Sequence, residues 1–225
     1  MLALLCWTGI QAQETDYAPF AEDGKVWHMK WDLGEPELEF LNYDFDFFID
    51  GDTLIADRQC KKVFSRNRQN KGNVDYECAV FEEGRKVYAI ENGEVTPHLL
   101  YDFGVAAGDT LAGEDPIFRV QEIKLVNVHG MQRRVFRWSC EIEPVFTRWW
   151  VEGVGNNRNP FASFVTAQGD FSCFKSCEVN GLIICDESDF NKLDTLQPSV
   201  NCDVNGDGVV DVEDVNAVIN AMLRK

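Results

Sequence analysis

Histidine is nearly absent from this chain: 3 residues in 225, and His28, His98 and His129 stand far apart. No G-x-S-x-G elbow, H-E-x-x-H helix, P-loop or G-x-G-x-x-G fingerprint occurs. Hydrolases built on a nucleophile elbow, zinc proteases and nucleotide enzymes thus lose the local signatures by which they are read. Cations are scarce too, with 21 Lys and Arg against 38 Asp and Glu and a formal net charge of -17. A field of that sign repels phosphate backbones and anionic lipid, so neither nucleic acid nor a membrane surface is an expected partner. No apolar run approaches the ~20 residues of a membrane span. Between residues 25 and 185, helix-length amphipathic runs are missing as well.

Alternation is what the chain has in quantity. In FLNYDFDFF, Tyr43, Phe45 and Phe47 share one face of an extended segment while Asn42, Asp44 and Asp46 share the other, as in a half-buried strand. KVWHMKW, TLIADRQCKKVF, VDYECAVFE, KVYAIE, HLLYDF, IFRVQEIKLVNV, QRRVFRWS and FTRWWVE read as further strands. Turn signals fall between them at Asp50-Gly51-Asp52, Glu83-Gly84, Asn92-Gly93, Ala107-Gly108-Asp109 and His129-Gly130. Short strands joined by tight turns predict an all-β fold, an antiparallel meander forming a barrel or sandwich to hide its edges. The tetrapeptide GDTL occurs at 51–54 and 108–111, but the similarity fades outside it, which favours reuse of a turn over an internal repeat.

The opening MLALLCWTGIQAQ is uncharged and mostly apolar through Ala12. It reads as a secretory signal peptide over residues 1–12, truncated at its basic end, and predicts a protein that is secreted or held at the cell surface. Cys60, Cys78, Cys140, Cys173, Cys177, Cys185 and Cys202 remain beyond it. Export makes disulfides the expectation, and no histidine lies near the last cysteines to complete a zinc site. Cys60 and Cys78 sit in consecutive predicted strands, where a cross-strand bridge fits; spacing assigns no other pair.

Catalysis leaves one opening. A glycosidase needs only two carboxylates at the right separation, and Glu35, Glu37, Glu39, Asp44, Asp46 and Glu152 are available. In so acidic a chain, a solvated strand face accounts for each of them more simply. Trp149 and Trp150 are adjacent and point to opposite faces of a strand, so one fills the core. The other either packs beneath a loop or, exposed beside Glu152 and Asn156, offers a sugar ring a stacking surface. A lipocalin-like binder of an apolar ligand would instead require an unfilled barrel.

The densest signal lies near the end, in DVNGDGVVDVED at residues 203–214. An EF-hand-type loop draws oxygens from positions 1, 3, 5, 7, 9 and 12 around a glycine at position 6. Asp203, Asn205, Asp207, Val209, Asp211 and Asp214 fill those places and Gly208 is the sixth residue, with Val209 contributing its main-chain carbonyl. The expected ion is Ca2+, a hard cation that takes six to eight oxygens. Val215, Val218, Ile219, Met222 and Leu223 then recur at helical spacing, and Arg224 and Lys225 suit the negative end of a helix dipole.

Aspartate at position 12 and the absence of a predicted helix before the loop make this segment resemble one repeat of a type I dockerin, the calcium-dependent module that docks into cohesin domains. A full dockerin has two repeats and this chain has one. Val212 and Glu213 stand where many dockerins carry a Ser/Thr pair that contacts cohesin. The resemblance implies calcium binding and, as partner, a cohesin-like protein or cell-surface scaffold. The segments GKVWHMKW, FFIDGDTLI, KVYAI, LLYDFGVAAGDT and RWWVEGVGN look like secreted all-β proteins of unknown function from anaerobic gut bacteria. That second resemblance implies fold and export and assigns no catalytic residue.

The expected organisation is a signal peptide at 1–12, a β-rich domain at 17–185, a polar linker at 186–201 and a dockerin-like calcium loop-helix module at 202–225. The expected function is a secreted, non-catalytic β-domain carried by a calcium-binding docking or surface-display module. The alternative is a glycan-active enzyme or a carbohydrate-binding subunit of a cellulosome-like assembly, with glycan as the ligand.

Overall fold

A computed structural model of the chain describes residues 17–69, 72–111, 118–140, 147–161 and 172–195. Two compact units divide it, Met1–Asp189 and Phe190–Lys225, and every strand belongs to the first. One sheet holds eight strands: β1 Lys25–Trp31, β2 Tyr43–Ile55, β3 Arg58–Asn67, β4 Val74–Glu83, β5 Lys86–Glu91, β6 His98–Asp102, β11 Ser172–Val179 and β12 Leu182–Asp186. The other holds four: β7 Phe118–Val128, β8 Met131–Cys140, β9 Thr147–Val151 and the two-residue β10 Gly155–Asn156. A 3₁₀ turn, Pro36–Leu41, joins β1 to β2, and the helix α1 Glu187–Thr195 follows β12.

The large sheet runs β12-β11-β1-β2-β3-β4-β5-β6, all antiparallel, and curls into a half-barrel. The all-β expectation therefore holds. The meander runs from β1 to β6, and the late hairpin β11–β12 returns to cover β1, the edge it would otherwise leave open. The segments expected to be a signal peptide and a calcium loop-helix module lie outside the described residues.

Period two explains which side chains go inward. Trp27 and Met29 of β1 and Phe45 and Phe47 of β2 are buried, and register sets Trp27 opposite both Phe47 and Cys177. Rings then link the two sheets through close contacts. Phe161 lies 5.0 Å from Trp27 and 5.1 Å from Phe47, Phe20 lies 5.1 Å from Trp27 and 5.2 Å from Tyr101, and Tyr101 meets Trp150 at 4.9 Å. Trp150 touches Trp138 at 4.5 Å. Each such pair adds ~0.5–1.5 kcal/mol beyond the area it buries. With the interior filled by rings, the unfilled barrel of a lipocalin-like binder is absent from the described residues.

Turns and cysteines depart from the sequence reading in three places. Asp50-Gly51-Asp52 is no turn: Asp50 and Gly51 form a bulge opposite Lys62, Gly51 takes φ +77°, and β2 continues to Ile55. The chain reverses instead at Ala56 and Asp57, both left-handed at φ +46° and +62°, as a two-residue hairpin requires. Cys60 and Cys78 do not face each other either, because a bulge at Glu77 sets Cys78 opposite Val63 on one face and leaves Cys60 with Ala79, Phe81 and Ile90 on the other.

Among the described residues no cysteine pair lies at bonding distance. Cys177 and Cys185 stand directly opposite across β11 and β12, and burial pushes the Cys177 thiol up to about 12 and raises that of Cys185 as well. The segment read as a linker opens with α1. Asp186 caps it, its Oδ1 accepting from the Ser188 amide at 2.8 Å and the Asp189 amide at 3.2 Å, while the Asp186 amide donates back to Asp189 Oδ2 at 3.0 Å.

Trp27 joins three parts of the core, since its indole N–H also donates to the Val154 carbonyl at 2.8 Å. Trp27→Ala should lower the unfolding free energy by ~3–5 kcal/mol in a denaturant titration. A loss below about 1 kcal/mol would contradict the ring-linked core.

Candidate functional site

The residues singled out for glycan chemistry are not assembled for it. Glu37 and Glu39 are exposed on the 3₁₀ turn, and Glu35 and Asp44 are exposed beside it. Asp46 and Glu152 are buried, and each is held by cations. Trp150 is 0 % and Trp149 2 % exposed, so neither indole is a stacking platform. Both are covered because the four-stranded sheet is buried on both faces there: Phe136 and Trp150 pair on one, while Val135 and Val151, both at 0 %, pair on the other. Asn156 is likewise inside, donating from Nδ2 to the Tyr101 hydroxyl at 3.1 Å.

Asp46 is the node of the outer face of the large sheet. Register lines up His28, Asp46 and Arg66 across β1, β2 and β3. The carboxylate accepts from Arg66 Nε at 2.9 Å and Arg68 Nε at 2.7 Å, and His28 Nδ1 lies 2.7 Å away. Burial opposes ionisation, yet hydrogen bonds from His28, Arg66 and Arg68 outweigh it and hold the carboxyl at about 2. The Arg66 guanidinium also sits 4.9 Å above the ring of Phe48, so this cluster clamps strands together.

Glu152, at the end of β9, anchors the segment before β1. It accepts from the Ala18 amide at 3.2 Å and from Arg85 Nη1 at 3.1 Å, with Arg134 Nη1 at 3.8 Å. Burial raises its carboxyl above the ordinary value despite these cations. The same segment crosses close over Gly153, where a Cβ would stand 2.8 Å from the Ala18 carbonyl and 3.0 Å from Arg133 Nη1. Only glycine at φ +76° admits that approach. Lys25 is fully buried beneath, donating to the Gly153 carbonyl at 2.9 Å, with Glu22 Oε2 at 3.5 Å.

These elements enclose a groove of about 870 Å³. Its sides come from the 17–22 segment, the tip of the β7–β8 hairpin and the β11–β12 hairpin. The walls are aliphatic or thioether: Pro19, Met131, Val179, Leu182, Ile183 and Ile184. Glu22, His129 and Arg133 are the titratable groups that line it. His129 Nε2 lies 3.1 Å from both Asp186 Oδ2 and Asp189 Oδ2. The three side chains have the composition of a metal site, but both carboxylates already serve the cap of α1.

Sequence reasoning missed this groove for an identifiable reason. SCFKSCEV and LIICD were not resolved as strands, although Asn180-Gly181 between them is a strong hairpin signal, and both residues do take positive φ. Arg133 sits in a predicted strand like any solvated cation, and only packing reveals its burial. Asp203, Asn205, Asp207, Val209, Asp211 and Asp214, the residues expected to ligate calcium, lie outside the described residues. Comparison with protein-family models, curated proteins and solved structures finds no match for this chain.

A carboxyl depressed on folding adds stability that is complete above its ordinary value near ~3.9 and is lost as pH falls toward its folded value. Asp46 should therefore contribute up to about 2 kcal/mol, less what its half-exposed arginine partners lose to solvent screening. In urea titrations stepped from about pH 5 to about pH 2, Asp46→Asn should flatten the fall in stability by ~1–2 kcal/mol. Identical slopes in parent and variant would contradict the assignment.

Proposed function

We propose that this chain is a secreted, non-catalytic β-domain protein whose C-terminal segment is a calcium-binding, dockerin-like module for extracellular docking or surface display. The observation that carries this reading is the placement of Asp203, Asn205, Asp207, Val209, Asp211 and Asp214 around Gly208. Four carboxylates, one amide oxygen and one main-chain carbonyl form a hard-oxygen donor set suited to Ca2+. The ion would neutralise crowded carboxylates and fix the loop ahead of the amphipathic run from Val215 to Leu223. The partner is a cohesin-like protein or a cell-surface scaffold, and the apolar spacing of that run is the surface offered to it.

A glycan-active or carbohydrate-binding role is the second reading. Burial of both Trp149 and Trp150, and the engagement of Asp46 and Glu152 with cations, support the binding-module reading over it.

Calorimetric titration of calcium into the chelator-stripped protein should give one site. Asp207→Ala, which removes a charged oxygen from the middle of the loop, should weaken it at least about tenfold, the effect of losing one charged ligand of ~1.5–3 kcal/mol. Equal affinity in variant and parent would overturn the ligand set, and calcium-dependent capture of a cohesin-type partner would extend it.

A further inference from the structure

Arg133 is the anomaly of the β-domain. It is 5 % exposed, lines the groove, and its Nε has no hydrogen-bond partner among the described residues. Its remaining contacts are a hydrogen bond from Nη1 to the Glu152 carbonyl at 2.9 Å and a long one from Nη2 to Met131 Sδ at 3.9 Å. Among the described residues no carboxylate forms an ion pair with it. The acidic groups nearby are otherwise engaged: Glu22 lies 3.5 Å from Lys25 Nζ, Glu152 is held by Arg85 and Arg134, and Asp186 and Asp189 meet His129, so the charges of Glu152 and Glu22 act on Arg133 without a direct ion pair. A buried guanidinium with no carboxylate in direct contact is expensive, and an anion placed against it would offset that cost. The chain's formal charge of -17 makes this the more telling, since carboxylates to pair with it are plentiful.

The walls specify the rest of the ligand. Leu182, Ile183, Ile184, Val179 and Met131 offer flexible aliphatic and thioether surface, and among the described residues no phenyl or indole ring lines the groove. Leu182 is 73 % and Ile183 49 % exposed, an apolar surface on the outermost strand of the large sheet. At about 870 Å³ the groove falls within the ~300–1,000 Å³ of small-molecule sites. Aliphatic walls without aromatic platforms suit an alkyl chain rather than a sugar.

We propose that this groove binds a single-chain aliphatic carboxylate, its head on Arg133 and its alkyl body along Met131, Val179, Leu182, Ile183 and Ile184. The ring-filled interior plays no part, and the proposal stands apart from the calcium loop. The long-range repulsion of an anion by the acidic chain is screened beyond ~8 Å at physiological salt, so local charge in the groove decides. Binding would set a counter-charge beside the guanidinium in a charge-assisted contact and remove exposed apolar surface from water.

The test is calorimetric titration of the full chain with sodium octanoate, decanoate and dodecanoate, with dodecanol as the uncharged control. Each added methylene should tighten binding roughly three- to fourfold, and dodecanoate should bind about tenfold or more tighter than dodecanol. Arg133→Met should abolish the preference for carboxylate over alcohol. Should that variant not fold, Leu182→Glu decides, since it alters only an exposed wall; it should weaken dodecanoate at least about tenfold. No saturable binding, or equal affinity for carboxylate and alcohol in the parent, overturns the proposal. Tighter binding of an apolar peptide ending in a free carboxylate overturns the acyl assignment in favour of a peptide terminus.

Discussion

Phe161 touches Trp27 and Phe47, Phe20 joins Trp27 to Tyr101, and Tyr101 reaches Trp150, so one chain of rings spans from the large sheet to the small one. Most of what is distinctive in the β-domain depends on that bridge. Closing it brings β9 and β10 against the segment before β1, and the Tyr101 hydroxyl, donating to the Pro160 carbonyl at 2.8 Å, fixes the loop that carries Phe161. Gly155 is part of the same constraint: a Cβ there would lie 2.7 Å from that hydroxyl. Rings supply most of the apolar area of such a core, and their edge-to-face preferences define one packing among many.

Charge is distributed around this core by scarcity. With 21 cations for 38 acids, a cation that is buried has carboxylates to choose from. Arg66 and Arg68 converge on Asp46, Arg85 and Arg134 on Glu152, and Lys25 approaches Glu22. These pairs tie strands and the leading segment together, which is a structural use of charge. Arg133 breaks the rule, and it does so where the fold leaves a groove rather than a packed layer. Stability and the proposed binding therefore draw on the same residue type, separated by whether a carboxylate of the chain makes direct contact.

Much of the fold was legible because period two is a local signal. FLNYDFDFF states its buried and solvated faces directly, and His129-Gly130 marks a turn that the chain makes, with both residues at positive φ. Glycine misled at Gly51, which serves a bulge, and its absence concealed the turn at Ala56 and Asp57, where nothing in composition announces left-handed backbone. The hairpin β11–β12 was overlooked because LIICD does not alternate, its Ile184 standing at a bulge in the pairing. Adjacent tryptophans left two alternatives for the second indole, covered or exposed, and burial of the sheet on both faces selects the covered one. The groove was illegible in principle: Pro19, Arg133 and Ile184 are far apart in sequence, and only tertiary packing makes a cation lack a partner. The proposed calcium loop is the reverse case, a candidate site written wholly in local spacing.

The central claim is a β-domain whose ring-linked core is complete in itself, joined to a segment that we propose calcium orders. Amide hydrogen exchange on the full chain, with calcium and with chelator, tests it most directly. The account predicts unchanged protection at Trp27, Phe47, Tyr101 and Trp150 and a gain of protection over residues 203–214 when calcium is present. Loss of protection in the ring core on chelation, or equal exchange of residues 203–214 in both conditions, would contradict it.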